Sequence, residues 1–489
     1  MGGMGPRSAN PVIVWFRDDL RLADNPALSA AIARGSSLVA VYILDDEMPG
    51  RWRLGRAARW WLHHSLAALG NDIRRLGGAL VLRRHTSVAA IKSLIQETGA
   101  CAVYWNRGYE PFAMARDTAV ARELERAGLE VQTFGASTLY EPGSIRNQDG
   151  KPFRLYAAFW RACLARGVTD APLPSPEWLP VGPGLPSDDL GSWQLRPVRP
   201  NWAQGFEKLW SPGEQGAQRR LTQFIEGAAV DYAGRRDRPD LASTSRLSPH
   251  LRFGEVSPRQ VRHAILGALA AGLVPQPAAD KFLSELGWRE FAYHLLYHHA
   301  SLPDAPLKPQ FAEFPWNTAP EHFSAWCRGS TGYPIVDAGM RELWATGWMH
   351  NRVRMIAASF LVKHLLTPWQ EGETWFWDTL VDADLANNAM NWQWVAGCGT
   401  DAAPYFRIFN PVLQGEKFDP DGRYVRQWVP EIAALPDAYI HRPWNAPESV
   451  RLTAGVDLDK NYPAPIIDHA VGRQRALEAF ARLNKRSRG

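Results

Sequence analysis

The chain has 489 residues, more than a single domain usually holds. Hydrophobic residues make up 46% and charged residues 21%, which excludes a disordered chain and fits a soluble globular protein. A net charge of +5 and an isoelectric point near 9.0 permit a polyanionic partner without requiring one.

The first ten residues, MGGMGPRSAN, hold no apolar core and so do not read as a secretory signal, and Pro6 breaks the myristoylation pattern. No run of about 18 apolar residues occurs, so no membrane span is expected. Cys101, Cys163, Cys327 and Cys398 show no metal-ligand spacing and are expected as reduced, buried thiols of a cytoplasmic protein. The 22 tryptophans are less ordinary, because cores are built mainly from Leu, Val and Ile. So many indoles point to stacking surfaces or to an electronic role.

Residues 11–140 alternate between two periods. Short apolar runs (PVIVWF, SLVAVYIL, GALVLRRH, ACAVYWN, EVQTFG) read as buried parallel strands. Helical stretches such as GRAARWWLHHSLAALGNDIRRLG and SVAAIKSLIQETG separate them, so a doubly wound α/β domain is expected. No G-x-G-x-x-G follows the first strand, so dinucleotide binding there is not expected. Residues 141–204 read as a connector, with eight prolines between 172 and 200. From 205 to 489 the pattern is that of an all-α domain. GAQRRLTQFIEGAAVDYA, AADKFLSELGWREFAYHLLYHHA and GWMHNRVRMIAASFLVKHLL are its clearest amphipathic helices, and Ser257-Pro258-Arg259-Gln260 reads as a capping box.

Four stretches of the helical half carry candidate chemistry. In SELGWREF, Glu285, Trp288 and Arg289 share a helix face, either as an exposed ion pair beside an indole or as a ligand wall. In TGWMHNRVRM, Trp348, Asn351 and Met355 fall on one face with Arg352 and Arg354 beside it. An amide on an apolar face needs partners, which a bound heterocycle would supply. In STSRLSPHLRFGEVSP, Thr244, Ser245 and Ser248 precede a helix expected to open at Pro249, a place for simple capping or for phosphate. DADLANNAMNWQWVAG sets Asp382 and Asp384 before Asn387 and Asn388, and then flanks one glutamine with Trp392 and Trp394. Caps fit the aspartates and a turn fits the asparagines; the spacing offers no third carboxylate, so no metal is expected. None of these readings accounts for the tryptophans.

The motifs WFRDDLRLADNPAL, TSRLS, WREF, TGYPIVDAGMREL, TGWMHNRVRM, DADLANN, WQWVAG and DAAPYFRIFNP stand in one order along the chain. Together they resemble the photolyase/cryptochrome family, specifically its bacterial cyclobutane-pyrimidine-dimer photolyases, from about Pro11 to about residue 470. The resemblance implies an N-terminal α/β domain for an antenna chromophore, a folate or a deazaflavin, and an all-α C-terminal domain binding FAD and DNA. It implies light-dependent splitting of pyrimidine dimers in UV-damaged DNA, by electron transfer from reduced, photoexcited FAD, in a cytoplasmic monomer.

Matched positions imply that Tyr232, Thr244, Ser245, Leu247 and Ser248 hold the FAD phosphates. Phe282, Glu285, Arg289, Trp348, Asn351, Arg354, Asp382, Asp384, Asn388 and Trp392 would surround the rest of the cofactor. Asn388 would face flavin N5, where a neutral amide neither protonates the ring nor repels its anion. Trp392, Trp369 and Trp316 match the family's electron-transfer triad. Glu285, Trp288, Asn351, Arg352, Met355, Trp394 and Arg407 would line a lesion pocket, with Arg236, Arg352 and Arg407 on phosphates. Glu285 would also steady the dimer radical. Relatives that repair (6-4) photoproducts carry two histidines where Asn351 and Met355 stand, which favours cyclobutane dimers. A blue-light photoreceptor of the cryptochrome type is the alternative, and a catalytically silent flavoprotein a further one.

Four positions depart from the family pattern. Phe112-Ala113 replaces the Asn-Glu pair of one folate-binding branch, leaving the loop Met48 to Arg53 as a candidate pocket wall. Phe282 replaces a Trp, and Asn391 a Gly.

Overall fold

The computed structural model describes residues 10–168, 170–402, 404, 405 and 407–486, and for 484–486 the backbone alone. The signal-peptide and myristoylation readings, and the end of the basic tail RLNKRSRG, fall outside the described residues. Contact density divides the chain into two compact units. The first takes the described residues up to Trp202 with Glu207–Val230 and Ser245–Ala300. The second takes Ala203–Phe206, Asp231–Thr244 and the described residues from Ser301 on.

In the first unit the apolar runs become β1 (Val12–Phe16), β2 (Leu38–Leu44), β3 (Leu80–Arg84), β4 (Ala102–Asn106) and β5 (Glu130–Phe134). All pair in parallel in the order β3-β2-β1-β4-β5. β1, β2 and β4 are buried throughout, which is why they lack polar alternation. The crossovers are α1 (Pro26–Ala33), α2 (Arg56–Arg75), α3 (Ser87–Thr98) and α4 (Pro111–Arg126). Asn25 caps α1 through Leu28 N, and Gly99 ends α3 in the left-handed region at φ +66°. Trp15 and Trp105 meet edge to face at 5.7 Å in the core above this sheet, beside Ile13, Val41 and Ile91. The proline-rich connector is ordered: Leu38 N donates to Pro180 O, Leu179 N to Leu76 O and Asp188 N to Leu82 O.

Helices of the same unit follow as α5 (Tyr156–Arg166), α6 (Glu214–Glu226), α7 (Pro258–Ala270) and α8 (Gln276–His298). The capping box at Ser257 is present, with Ser257 Oγ accepting from Gln260 N and Gln260 returning to Ser257 N. α6 stops before the expected end: Gly227 leaves helical geometry and a separate short turn, Ala228–Asp231, follows. α8 instead tolerates Gly287, because a Cβ there would lie 2.6 Å from the Trp160 ring.

The second unit contains α9 (Pro334–Thr346), α10 (Asn351–Ser359), α11 (Trp369–Thr379), α12 (Leu385–Ala396) and α13 (His469–Arg486). Beyond residue 205 the described residues add only one isolated bridge, Leu458 with Tyr462. The stretch expected as one helix from Gly347 begins four residues later. Gly347 ends α9 at φ +69°, His350 caps α10 through Arg352 N, and the last part is a wider π turn, Phe360–His364. No described helix is long and apolar enough to cross a membrane. The cysteine expectation needs correction: all four are free, but Cys101 and Cys327 are only half-buried.

Candidate active site

In the second unit, α12 presents the motif that opens with two aspartates. Asp384 caps it, Oδ1 accepting from Asn387 N and Asn387 Nδ2, both at 2.8 Å. The two asparagines therefore lie in the helix and form no turn. Asn388 is buried and its Nδ2 donates to Glu373 O of α11 at 2.9 Å, which fixes the rotamer of the amide. Asn391 is exposed and bonds back to Asn387 O, so its replacement of glycine leaves the helix intact.

Asp382 is 8% exposed. Its Oδ2 accepts from Arg354 Nη2 at 2.8 Å, and Arg354 is held by Met349 O and lies 5.9 Å from the Trp348 ring. Oδ1 of Asp382 is buried without a hydrogen-bond partner among the described residues. An ionised oxygen in that state is costly unless a ligand donor reaches it. Arg354, Trp348 and Asp382 thus form a cation, a plate and a carboxylate with one acceptor to spare. That donor set fits a heterocycle or sugar bearing N–H or O–H groups, as FAD does. No group of acidic, histidine or cysteine side chains among the described residues could hold a metal.

Trp348, expected on the helix face with Asn351 and Met355, instead precedes α10, because the helix opens only at Asn351. Asn351 is exposed, and Met355 meets Arg352 Nη1 through Sδ at 3.8 Å. Arg407 is exposed, Trp394 half-buried, and the Arg236 guanidinium lies 5.7 Å from the Tyr232 ring.

The tryptophans differ in depth. Trp392 and Trp369 are buried, whereas Trp316 is half-buried, 4.4 Å from the Phe314 ring. Trp392 is wedged against α11: a Cβ on Gly372 would meet its Cη2 at 2.1 Å. Phe376 and Trp326 close round it at 5.0 and 6.3 Å. The glutamine between the indoles is structural. Gln393 is fully buried, donates to Leu302 O and Ala305 O and accepts from Leu307 N, so it ties residues 302–307 to α12. Sequence reasoning missed Phe376, Trp326 and the tether of Gln393, which long-range packing alone defines.

In the first unit α8 splits the expected wall. Trp288 stacks on Tyr156 at 3.7 Å and 13°, and Glu285 pairs with Lys281. Arg289 turns instead to Ser137 O at 2.7 Å and the Tyr293 ring. Phe282 packs on Phe224 at 4.9 Å. Ser245 Oγ accepts weakly from Leu247 N at 3.4 Å, and the helix after it opens at Ser248, with Leu247 rather than a serine in the cap position. Simple serine capping is therefore corrected there. Tyr232 is buried and Thr244 half-buried in the second unit.

The first unit also holds a pocket at the carboxyl ends of β1, β2, β4 and β5, where strand order reverses beside β1 and open α/β sheets bind ligands. Trp52 and Phe112 line it, as do Arg17, Arg116, Arg289 and Tyr293. Aromatic plates among guanidinium groups suit a flat anionic ring system. The loop around Met48–Arg53 and the Phe112-Ala113 departure meet here, through Pro49, Trp52, Phe112 and Ala113.

Comparison with known proteins gives two family matches: "DNA photolyase" over residues 12–177 and "FAD binding domain of DNA photolyase" over 282–482. A deoxyribodipyrimidine photo-lyase of Agrobacterium fabrum is 50% identical, over 97% of this chain and 98% of that protein. Cryptochrome-1 of Arabidopsis thaliana is 41% identical, over 96% of this chain and 70% of its own length. Among solved structures, a bacterial class III photolyase from Agrobacterium tumefaciens superposes with a TM-score of 0.95 at 49% identity, covering 98% and 99% of the two chains. An archaeal photolyase from Sulfolobus tokodaii with two FAD molecules gives 0.81 at 28% identity, over 96% and 100%.

Proposed function

Because the chain belongs to the DNA photolyase family, we propose that it is a deoxyribodipyrimidine photo-lyase, a flavoprotein that uses light to split pyrimidine dimers in DNA. The observation that carries the cofactor assignment is Asp382, a buried carboxylate with Arg354 on one oxygen and an acceptor left on the other. Arg354, Trp348 and Asp382 would hold FAD, which would supply light-driven one-electron chemistry for opening the dimer.

The chain's own residues bind, orient and insulate. Arg354 sets positive charge beside Trp348 and Asp382, where a reduced, anionic ring gains from it. Asn388 offers an amide that cannot ionise, held by Glu373 O. Asp384 serves α12 as its cap and would accept from a ring N–H. Trp392 and Trp369, both buried, and half-buried Trp316 would supply the electron that recharges the cofactor. Tyr232, Thr244, Ser245, Leu247, Ser248, Phe282, Glu285, Asn351 and Trp392 complete the cofactor contacts by resemblance, whereas Arg289, expected among them, turns to Ser137 O and the strand-end pocket. The lesion contacts Glu285, Trp288, Asn351, Arg352, Met355 and Trp394 are assigned on the same ground, as are the phosphate contacts Arg236, Arg352 and Arg407. Residues 11–140 form the antenna domain, its pocket at the strand ends taking the second chromophore, and 205–489 the FAD- and DNA-binding domain, with 141–204 between them. Damaged DNA is the partner, and the enzyme works as a cytoplasmic monomer.

The deciding experiment is repair. Purified, FAD-loaded protein with reductant should restore a dimer-containing oligonucleotide under blue light and leave it unchanged in darkness. Bound FAD without repair would overturn the enzyme reading in favour of a photoreceptor.

A further inference from the structure

The loop after the short helix Tyr232–Arg235 reads Arg236-Asp237-Arg238-Pro239-Asp240, carboxylates set among cations. Arg352, in the first turn of α10, reaches it. Its Nη2 donates to Asp237 Oδ2 at 2.7 Å. The guanidinium also lies over Phe418, Cζ 4.5 Å from the ring centroid, while Nη1 faces Met355 Sδ. The plane of the cation is therefore fixed, and an oxyanion occupies one of its edges. With 19% of the Arg352 and 34% of the Asp237 side chain exposed, the pair is open to solvent and to a ligand.

A carboxylate at that edge uses the donor that a phosphodiester oxygen would use. The two compete. A phosphate that arrives also meets the Asp237 charge at close range, a like-charge contact that weakens binding. Arg238 is held in the same manner, by both oxygens of Asp240 at 2.7 Å. Once a dimer is split its special contacts are gone, while phosphate contacts persist, so a brake on the latter speeds release of the repaired strand.

We propose that Asp237 is such a brake: an internal stand-in for phosphate at Arg352 that lowers affinity for undamaged and repaired DNA. The proposal rests on the reading of Arg352 as a phosphate contact.

The test uses FAD-loaded protein in darkness and a fluorescent undamaged duplex, with anisotropy followed across a salt series. D237N should bind about three- to tenfold tighter at low salt, with a log Kd against log salt slope steeper by about 0.9, one added phosphate contact. R352Q should weaken binding, and the D237N/R352Q double variant should match R352Q alone. D421N, which removes an exposed carboxylate on Arg238 and Arg423, controls for net charge. The brake is overturned if D237N gains no more than D421N, or keeps its gain beside R352Q. A weakened R352Q with an inert D237N sinks the brake alone, whereas normal binding by R352Q sinks the phosphate contact with it.

Discussion

The central strands β1 and β2 of the first unit and the α11–α12 region of the second both bury large side chains, but for different ends. β1 and β2 bury aliphatic and aromatic groups that need nothing except neighbours. Near the sheet Arg21 donates to Gly254 O, Asp24 O and Ala136 O, and Asp24 accepts from Ser257 and Arg259, while the atoms left buried there without a hydrogen bond among the described residues include donors, Arg21 Nε and the Trp15 indole N–H. In the second unit Asp382 keeps a buried oxygen unpaired and Lys363 is buried over the Tyr405 ring, its pKa pushed well down by burial. What marks a site is the combination at Asp382: a carboxylate oxygen left over at the end of a tightly held side chain, beside a cation and an indole.

The largest test of that contrast is N388D. A carboxylate at this position loses the donor to Glu373 O and would set a negative charge beside the reduced ring. Repair under blue light should fall by about a hundredfold or more, worth about 3 kcal/mol or more. Photoreduction followed by absorbance should stall together with it. Unchanged repair would place Asn388 among the scaffold residues.

Next in size is D382N. Breaking a buried pair typically costs about 3–5 kcal/mol, but the Arg354 side chain keeps 24% exposure, so about 2–3 kcal/mol is expected in denaturant unfolding. The ratio of flavin to protein absorbance after purification should drop. If FAD is retained while stability falls, the pair belongs with the structural group and the contrast between the units narrows.

A structural carboxylate behaves otherwise. Glu290 in α8 accepts from Leu139 N and Tyr140 N, and burial, opposed by Arg289 and those bonds, pushes its pKa up to about 7. A carboxyl whose folded pKa lies above its unfolded value binds its proton better when folded. The stability it contributes is therefore full below about 4.5 and is lost as pH rises through about 7, by up to about 3 kcal/mol. E290Q should flatten unfolding free energy between pH 5 and 8. An equal slope in variant and parent would assign the titration elsewhere.

What could be read from residue order follows the same division. β1, β2 and β4 came through because their apolar runs are continuous, and α8 because of its length; the amphipathic face expected of α8 is not there, since residues 290–296 are buried all round. The aspartates, asparagines and tryptophans of α12 stand out as odd, yet their chemistry came only through family resemblance. Their partners (Glu373 O, Arg354, Gly372) are set by how three helices pack. Asp237 was invisible for the same reason. Its meaning depends on Arg352, 115 residues away in sequence.

Ser257 tests where the local signal ends, and carries the smallest effect. Its hydroxyl does what the capping box foretold, accepting from Gln260 N at 3.0 Å. The same oxygen also donates to buried Asp24, 233 residues away, which Arg259 engages with two further bonds. An N-cap alone is worth about 1 kcal/mol, and a hydrogen bond to a charged group about 1.5–3 kcal/mol. S257A should therefore cost about 2 kcal/mol in denaturant unfolding rather than about 1. The excess should vanish in a D24N background, where the acceptor is no longer ionised. A loss near 1 kcal/mol in both backgrounds would mean that the cap, the one part written in four consecutive residues, is all the hydroxyl contributes.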